Sequence, residues 1–370
     1  MKIKVCHVTS AHGVEDVRIF YKECLSLNQA GYDVYLVERG ESHDKEGIHI
    51  IGFGEVPKSR IKRMTQSAKS AYEKALALDC DIYHLHDPEL LPFAIKLKRK
   101  GKTVIFDSHE LTREQIRIKP YLPRIMAKGL SVIYSSYENR ILKKIDGVIF
   151  PCPVNGKFPL PGKRKAYVNN LPRLSEMYDK YDPTTPKEPD TICTVGSLTY
   201  NRGIKHLILA ASKAKARVLL GGMLSPIEFE QEIKEMPESE NVEFLGFLSR
   251  EKVMEVYKKS LICASALLNV GQYSGVENLS TKVYECMAMG IPVIMTRQPY
   301  NEYMIEKYQF GICVNPEDID EYAKAISDLL DYPDKAKVMG ENGRKAIKED
   351  FNWENEQLSL FRLYEDILTT

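Results

Sequence analysis

The most constraining feature of this sequence is a regular alternation of short, β-branched runs with segments long enough to form helices. Such runs occur at residues 2–8, 34–37, 82–85, 103–106 and 147–150, and again at 191–195, 217–221, 242–246, 261–265 and 292–295. Alternating strands and helices are typical of parallel sheets covered by helices on both faces. The sequence therefore predicts an α/β fold.

The alternation is interrupted once. Residues 172–190, PRLSEMYDKYDPTTPKEPD, contain four prolines and have neither a helical nor a strand period, which indicates a linker. We therefore predict two Rossmann-like, doubly wound domains at residues 1–172 and 191–350, joined by a linker at 173–190. Residues 351–370 are predicted to form a C-terminal helix that returns toward the first domain.

Composition and charge narrow the class of protein. The 370 residues suffice for two hydrophobic cores, and 44% hydrophobic with 28% charged residues is ordinary for a globular protein. The net charge of +1 conceals an asymmetry, because residues up to Pro172 include 29 Lys and Arg against 19 Asp and Glu. Eight cysteines without a C-x-x-C pair favour a reducing compartment. Without a signal-like or membrane-spanning apolar run, we expect a cytoplasmic protein, attached at most peripherally to the inner face of the membrane.

One stretch, GVENLSTKVYECMAMGIP at 275–292, has the pattern of a ligand-binding corner. A helix is predicted from Ser280, whose hydroxyl would cap its first turn, to Gly290. Glu277 would lie before this helix and Glu285 inside it, on two sides of a ligand. Lys282 opposes the helix dipole, a conflict that a bound anion would remove. The alternative is an exposed ion pair between Lys282 and Glu285.

Polar residues and glycines follow the predicted strands in both halves of the chain. In doubly wound folds, ligands bind beyond the carboxyl ends of the strands. We therefore expect these loops to face one cleft between the domains. The loop residues are His12 and Gly13, His86 to Glu89, Asp107 to Glu110, Gly196 and Ser197, Asn201 to Gly203, Gly221 and Gly222, Gly246 and Phe247, and Gly275 to Glu277.

These segments resemble a known family. GVENLSTKVYECMAMGIPVI is similar to the E-x(7)-E signature of retaining glycosyltransferase family 4, the group 1 glycosyltransferases of GT-B fold. Further matching segments, in the same order along the chain, are AGYDVYLV, IYHLHDPELLP, VIFDSHE, ICTVGSLTYNRGIKHLI, LGG and VEFLGFLSREKV. The resemblance covers nearly the whole chain. It implies two Rossmann-like domains facing a cleft, and a retaining hexosyltransferase that uses a nucleotide-diphosphate sugar.

The resemblance also implies roles for residues at the donor. Glu285 would accept hydrogen bonds from the ribose, and Glu277 would act at the donor sugar as a catalytic residue. Arg202 and Lys282 would hold the diphosphate and stabilise the charge that grows on it as the glycosidic bond breaks. Further donor-binding positions are Gly13 and Gly196 at the phosphates and Phe247 at the base.

In the first domain, the resemblance implies that His109 is catalytic and lies near the reacting sugar. Arg18, His86 and Glu110 would lie on the acceptor side. The chain departs from the family pattern at Ser197, where many members carry a basic residue, and at Ser280, where a subset carries proline. We expect Lys282 to supply the cation missing at Ser197.

No metal or other cofactor is expected to be required. His84 and His86 alternate on a predicted strand and, with Asp87, offer three metal ligands, but the sequence indicates no fourth. Two D-x-D triplets, 79–81 and 318–320, resemble the metal motif of a different glycosyltransferase fold. We predict instead that the first ends a helix and that the second begins one.

The expected partners are a nucleotide-sugar donor and a saccharide or lipid-diphosphate acceptor, as in polysaccharide or glycoconjugate biosynthesis. The basic segment 57–78 and the basic residues that follow the DSHE loop suggest contact with an anionic membrane surface, unless they form a solvated face. The latter residues are Arg113, Arg117, Lys119, Arg124 and Lys128. Nucleic acid is not expected.

Two alternatives remain open. A sugar-nucleotide epimerase has the same fold, but it needs a water-activating carboxylate set that the sequence does not indicate. A non-catalytic, two-lobed solute-binding protein is usually exported, which the unpaired cysteines oppose. Nicotinamide-dependent chemistry and a phosphate loop are disfavoured, because neither G-x-G-x-x-G after the first strand nor G-x-x-x-x-G-K occurs.

Overall fold

The computed structural model describes residues 2–55, 57, 59, 62–119, 122–268 and 275–369. The chain divides into two compact units. The first comprises Met1–Asn170 and Asn355–Thr370, and the second comprises Leu171–Glu354. Each unit has its own predominantly parallel sheet, which confirms the predicted α/β class.

The first unit contains an eight-stranded sheet. Its strands are β1 (Lys4–Val8), β2 (Asp33–Glu38), β3 (His43–Lys45), β4 (Ile48–Gly52), β5 (Ile82–Leu85), β6 (Thr103–Asp107), β7 (Gly147–Phe150) and β8 (Arg164–Tyr167). Their order is β3-β4-β2-β1-β5-β6-β7-β8; β3 and β4 pair antiparallel, and the other neighbouring strands pair parallel. Its helices are α1 (Leu25–Gln29), α2 (Ala68–Ala77), α3 (Leu91–Arg99), α4 (Thr112–Arg117) and α5 (Arg124–Leu142).

The main differences from the sequence prediction lie near the start of this unit. The segment between β1 and β2 begins its helical part as a π-helical turn, Ile19–Cys24, which leads into α1. The hairpin of β3 and β4 was not predicted because its sequence is largely polar. Glu46 and Gly47, both with positive φ, form its turn.

The second unit contains a six-stranded, fully parallel sheet. Its strands are β9 (Thr191–Val195), β10 (Arg217–Gly221), β11 (Val242–Gly246), β12 (Ile262–Ser265), β13 (Val293–Thr296) and β14 (Gly311–Val314). Their order is β11-β10-β9-β12-β13-β14. Its helices are α6 (Ile204–Lys213), α7 (Ile227–Glu235), α8 (Arg250–Lys259), α9 (Thr281–Ala288), α10 (Pro299–Tyr308), α11 (Ile319–Asp331) and α12 (Pro333–Glu349).

Helices cover both faces of this second sheet. Successive residues of one strand point to opposite faces, so Ile192 and Cys193 belong to two different hydrophobic clusters. One cluster includes residues of α9 and α12, and the other includes residues of α6 and α11. Strands buried on both faces account for the continuous apolar runs in the sequence.

The proline-rich segment 173–190 lies within the second unit. Met177 is fully buried in its core, and the guanidinium group of Arg344 lies 3.9 Å from the ring centre of Tyr178 and 4.1 Å from that of Tyr181. These contacts attach a stretch without regular period to the body of the unit.

The division between the units falls within the last helix, α13 (Trp353–Leu368). Trp353 is fully buried, and its backbone N–H donates to the carbonyl oxygen of Pro172 at 2.9 Å. Eleven residues later, Tyr364 is fully buried in the first unit, where its hydroxyl lies 2.9 Å from Nδ1 of His84. No helix in the described part of the chain is both long and apolar enough to span a membrane.

Both D-x-D triplets lie at helix boundaries, as predicted. Asp79 has a positive φ between α2 and β5. Asp318 caps α11, since its side chain accepts a hydrogen bond from the backbone N–H of Glu321 at 3.0 Å.

Two helical glycines provide a test of the packing between α9 and α12. A Cβ atom at Gly340 would overlap the carbonyl oxygen of Gly290, where α9 ends, whereas a Cβ at Gly129 in α5 would meet nothing within 4 Å. We expect Gly340→Ala to lower the free energy of unfolding by about 1–3 kcal/mol, through overpacking. The matched change Gly129→Ala should raise it by roughly 0.5–1 kcal/mol, through helix propensity. Urea denaturation measures both, and two stabilising changes would contradict this packing.

Candidate functional site

Asp87 organises the loop that follows β1 in the first unit. Its Oδ2 accepts hydrogen bonds from the Thr9 hydroxyl at 2.8 Å and the Ser10 backbone N–H at 2.6 Å, while Oδ1 lies 3.0 Å from Nδ1 of His12. Burial alone would raise the pKa of Asp87, but His12 and these donors lower it to about 2. The carboxylate therefore stays ionised and fixes the loop.

Asp107, at the end of β6, brings three of the predicted site residues together. Arg18 donates to it from Nε and Nη2, each at 2.9 Å, and His109 Nε2 lies 3.0 Å from Oδ2. His86 Nδ1 lies 3.4 Å from the same oxygen. Burial opposes ionisation, but Arg18 and His109 hold the pKa of Asp107 well below its usual range.

The three residues around this carboxylate differ in exposure. Arg18 and His86 are buried, whereas the side chain of His109 keeps 21% of its exposure. His109 is therefore the member that a ligand can reach. Sequence reasoning noted Asp107 only as part of a strand-end loop, although a carboxylate followed two residues later by histidine is a usable signal.

Two other predicted residues lie outside this cluster. Glu110 is exposed, and the Ser108 hydroxyl donates to its backbone carbonyl at 3.0 Å. Gly13 has no positive φ, and an added Cβ there would make only an ordinary 3.5 Å contact with Arg39. The conformation of the loop therefore does not by itself require glycine at position 13.

In the second unit, α9 begins where the sequence predicted, although one detail of the prediction was wrong. Ser280 occupies the N-cap position, but its hydroxyl makes no capping hydrogen bond and lies 3.1 Å from the hydroxyl of Ser265. The first turn is thus not capped by its own serine. Gly290 has φ +64°, as a glycine after a helix should.

Lys282 lies in this first turn and is buried, with 8% of its surface exposed. Its ammonium group donates to the Thr194 hydroxyl on β9 at 2.9 Å. Burial, reinforced by the positive charge of Arg202, lowers the pKa of Lys282 to about 8. The structure therefore excludes the alternative of an exposed Lys282–Glu285 pair.

Two side chains of α8 hold the carboxylate of Glu285. Its Oε1 accepts from Arg250 Nη1 at 2.6 Å, and its Oε2 accepts from the Tyr257 hydroxyl at 2.8 Å. Arg250 also donates to Glu176 at 2.7 Å. The carboxylate has one fixed orientation, and each of its oxygens keeps a further lone pair. Sequence reasoning missed Arg250 and Tyr257.

The remaining donor-side predictions lie in loops of the second unit. Gly196 has φ +116°, and a Cβ atom at Gly222 would overlap the Gly196 carbonyl oxygen, so these two loops approach at glycines. Arg202 ends a 3₁₀ turn, Phe247 is 84% exposed beyond β11, and Glu277 is half-buried before α9.

Comparison with known proteins identifies the family. The family model for glycosyl transferases group 1 matches residues 179–346, and that for glycosyltransferase family 4 matches residues 17–155. The chain belongs to the group 1 glycosyltransferases. The two models match the two units separately, and together they cover most of the chain.

Individual relatives of this group 1 glycosyltransferase have low sequence identity to it and match only part of the chain. It is 26% identical over 196 residues to the D-inositol 3-phosphate glycosyltransferase of Corynebacterium kroppenstedtii, which is 50% of this chain and 42% of that protein. The chain spans less than half the length of the curated relatives it matches.

Solved structures show the GT-B fold. The sucrose-phosphate synthase of Thermosynechococcus elongatus superposes with a TM-score of 0.79 at 17% identity, over 100% of both chains. The Anabaena HepE protein in complex with UDP and glucose superposes with a TM-score of 0.71 at 11% identity, over 98% of this chain and 100% of that one.

The lowered pKa of Lys282 predicts that its buried charge reduces the free energy of unfolding, by an amount that depends on pH. Between its folded pKa near 8 and the unfolded value of 10.5, the unfolded chain binds more protons, so stability should rise with pH. At pH 7 we expect Lys282→Met to be more stable than the wild type by about 2 kcal/mol, after allowing for the lost Thr194 hydrogen bond.

Urea denaturation at pH 7.0 and 9.5 tests this prediction. The advantage of Lys282→Met should shrink at the higher pH as the wild-type lysine loses its charge. The same change at the exposed Lys345 on α12 should give no such trend. An advantage of equal size at both pH values would mean that the Lys282 charge does not carry the cost.

Proposed function

We propose that this protein is a retaining glycosyltransferase that moves a sugar from a nucleoside-diphosphate donor to a saccharide or lipid-linked acceptor. The observation that carries the proposal is the buried Lys282 in the first turn of α9. A desolvated cation at the positive end of a helix is unfavourable in isolation. A bound diphosphate would compensate the charge of Lys282 and the positive end of the helix dipole together. The backbone N–H groups of the first turn and the ammonium group would then bind the same anion.

Lys282 and Arg202 would act together on the leaving group. As the bond between the sugar and the β-phosphate breaks, its electron pair passes to the phosphate oxygen, and the negative charge there grows. Arg202 lies close enough to lower the pKa of Lys282, so the two cations share one region. Their charge would stabilise the transition state more than the ground state, without a required metal.

Glu285 is suited to the ribose. Arg250 and Tyr257 fix its carboxylate from one side, which lowers the entropic cost of orienting it for two ribose hydroxyls. We further propose that Gly196 and Gly13 allow backbone to approach the phosphates, that Phe247 contacts the base, and that Glu277 acts at the donor sugar.

In the first unit, we propose that His109 acts at the reacting sugar. Asp107 Oδ2 lies 3.0 Å from its Nε2 and holds the imidazole in one orientation. Arg18 and His86 share this carboxylate, so they would position His109 on the acceptor side rather than bind the acceptor themselves. Glu110 remains a proposed acceptor contact because it is exposed.

The names of similar proteins support the donor and acceptor classes. One structural neighbour is named as a complex with UDP-glucose, and one relative as a glycosyltransferase of D-inositol 3-phosphate. These names favour a nucleotide sugar as donor and glycoconjugate synthesis as the role, which we propose here for this chain.

Nucleotide binding tests the donor site. We expect UDP or GDP to raise the melting temperature of the wild type, because a ligand of the native state stabilises it. Lys282→Met and Glu285→Gln should each weaken nucleotide binding by roughly tenfold or more, the loss of about 1.4 kcal/mol or more. Isothermal titration calorimetry with a panel of nucleoside diphosphates measures the affinities.

Two matched variants separate binding from structure. Glu176→Gln removes the other carboxylate of Arg250 and should leave nucleotide affinity unchanged. Lys187→Met removes a lysine that donates to the Tyr257 backbone carbonyl oxygen rather than to its hydroxyl, and it should also leave affinity unchanged. Indifference of the wild type to every nucleotide, or unchanged affinity in folded Lys282→Met and Glu285→Gln, would refute the proposal.

A surface in the first unit supports a lipid-linked acceptor. Helix α5 exposes an apolar stripe, in which Ile125 is 89% and Ile133 is 68% exposed, together with Met126, Leu130 and Tyr137. Arg124 and Lys128 on the same helix are exposed cations. Apolar side chains flanked by lysine and arginine fit an anionic lipid surface. In the second basic segment, 57–78, residues 58, 60 and 61 lie outside the described residues.

Liposome flotation tests this surface. We expect the protein to bind phosphatidylglycerol vesicles in a salt-sensitive manner, and Ile125→Ser with Ile133→Ser to reduce binding several-fold, because about 0.8 kcal/mol is lost per unburied methylene. The control Ile227→Ser changes an isoleucine that is 65% exposed in the second unit and should have no effect. Absence of salt-sensitive binding by the wild type would refute the proposal.

A further inference from the structure

Three imidazoles and one carboxylate meet in the buried interior of the first unit. His7 on β1 pairs in register with His84 on β5, and His86 lies two residues further along on the same face. Glu23, from the π-helical turn before α1, faces all three. All four side chains are excluded from solvent.

The distances from Glu23 to the three imidazoles are too long for hydrogen bonds. Glu23 Oε2 lies 3.9 Å from Nδ1 of His7, 3.8 Å from Nε2 of His84 and 4.0 Å from Nε2 of His86. His7 Nδ1 and His86 Nε2 are 2.9 Å apart. A hydrogen-bonded carboxylate would approach to about 2.9 Å. Two ligand atoms of a tetrahedral zinc site are separated by roughly 3.3–3.4 Å, given bonds of about 2.0–2.1 Å, a value between the 2.9 Å and the 3.8–4.0 Å separations of this group.

The far nitrogens of two of these histidines have outer partners. Nδ1 of His84 lies 2.9 Å from the Tyr364 hydroxyl, and Nδ1 of His86 lies 3.4 Å from Asp107 Oδ2 and 3.3 Å from His109 Nε2. Histidines that bind a metal usually donate their other N–H to a carboxylate or another polar group. When each Nδ1 carries the proton in this way, the Nε2 of the same ring keeps a lone pair for a metal.

Two of the four inner atoms lack hydrogen-bond partners, whereas His7 Nδ1 and His86 Nε2 lie within hydrogen-bond distance of each other. Among the described residues, neither Nε2 of His84 nor Oε2 of Glu23 makes a hydrogen bond, although both are buried. Arg18 approaches the other carboxylate oxygen, Oε1, at 3.0 Å. A metal ion between these two buried atoms, which lie 3.8 Å apart, would give each of them a partner.

We propose that His7, Glu23, His84 and His86 bind one zinc ion. Imidazole and carboxylate are ligands that Zn²⁺ accepts, and four of them fill its tetrahedral shell. Calcium and magnesium prefer oxygen ligands alone. Since the protein occupies all four positions, the ion is structural: it ties β1, β5 and the helical turn together, and no position is open to substrate.

This site differs from the metal set considered in the sequence. His84 and His86 are members, but Asp87 is not, because its carboxylate binds Thr9, Ser10 and His12. The two other ligands are supplied by residues more than 60 positions earlier. The ion lies within the first unit and takes no part in the proposed stabilisation of the diphosphate by Lys282 and Arg202.

Metal analysis of the full chain, produced without a histidine tag in zinc-supplemented medium, tests the proposal. We expect about one zinc per chain by mass spectrometry, and a lower melting temperature after chelation that zinc restores. Glu23→Gln and His84→Gln should lose the stoichiometric ion. Tyr364→Phe, which keeps the ring and removes the outer hydroxyl, should lower zinc affinity by roughly 10–100-fold.

A double variant at the exposed histidines of the same unit, His43→Gln with His49→Gln, serves as control and should keep its zinc. Cobalt substitution of the wild type gives a result independent of whether the variants fold, since a tetrahedral site has an intense visible spectrum. Absence of stoichiometric zinc in the wild type, a weak octahedral cobalt spectrum, or zinc lost only with His43 and His49 would each overturn the proposal.

Discussion

The carboxyl ends of parallel strands lie at the same edge of a sheet, so the residues that follow the strands come together there. The candidate sites of both units depend on this constraint. In the first unit, the residues after β1, β5 and β6 supply the His12–Asp87 pair and the Asp107 cluster. In the second, β9 supplies Thr194 beneath Lys282, and the loops after β9 and β10 meet at glycines. Because the strands run in the same direction, their charged and polar side chains gather at the edge of the sheet where the following helices begin.

The two units manage this concentrated charge differently. In the first unit, the charges of Asp107 and Arg18 are neutralised internally by a bidentate pair, which is buried on both sides. In the second unit, Lys282 has a hydroxyl as its protein partner and a depressed pKa, while Glu285 is already paired with Arg250. The charges of the first unit are therefore neutralised within the protein, whereas the buried charge of Lys282 in the second unit would be stabilised by a bound anion. This contrast assigns the donor phosphates to the second unit in the proposed function.

The sequence was informative about features that depend on local pattern. The alternation of strands and helices, the glycine stop at Gly290, and the cap at Asp318 follow from period, turn chemistry and capping preference. It was uninformative about pairing between distant residues. Arg18 with Asp107, Glu285 with Arg250, and His7 with His84 are joined only by tertiary structure. At Ser280 the local capping preference does not predict the hydrogen bond, because the hydroxyl pairs with that of Ser265 instead of the backbone of its own helix. The outward apolar stripe of α5 was missed because periodicity does not state which face is covered.

The course of α13 bears on how the chain folds as it is synthesised. Leu360, Leu363 and Tyr364 belong to the first unit, and Tyr364 bonds to His84 across 280 residues of sequence. The second unit is therefore an insertion within the first. The amino-terminal half leaves the ribosome with the surface around His84 uncovered, and it stays so until the entire second unit has been made. The last native contacts to form are thus those that close the first domain.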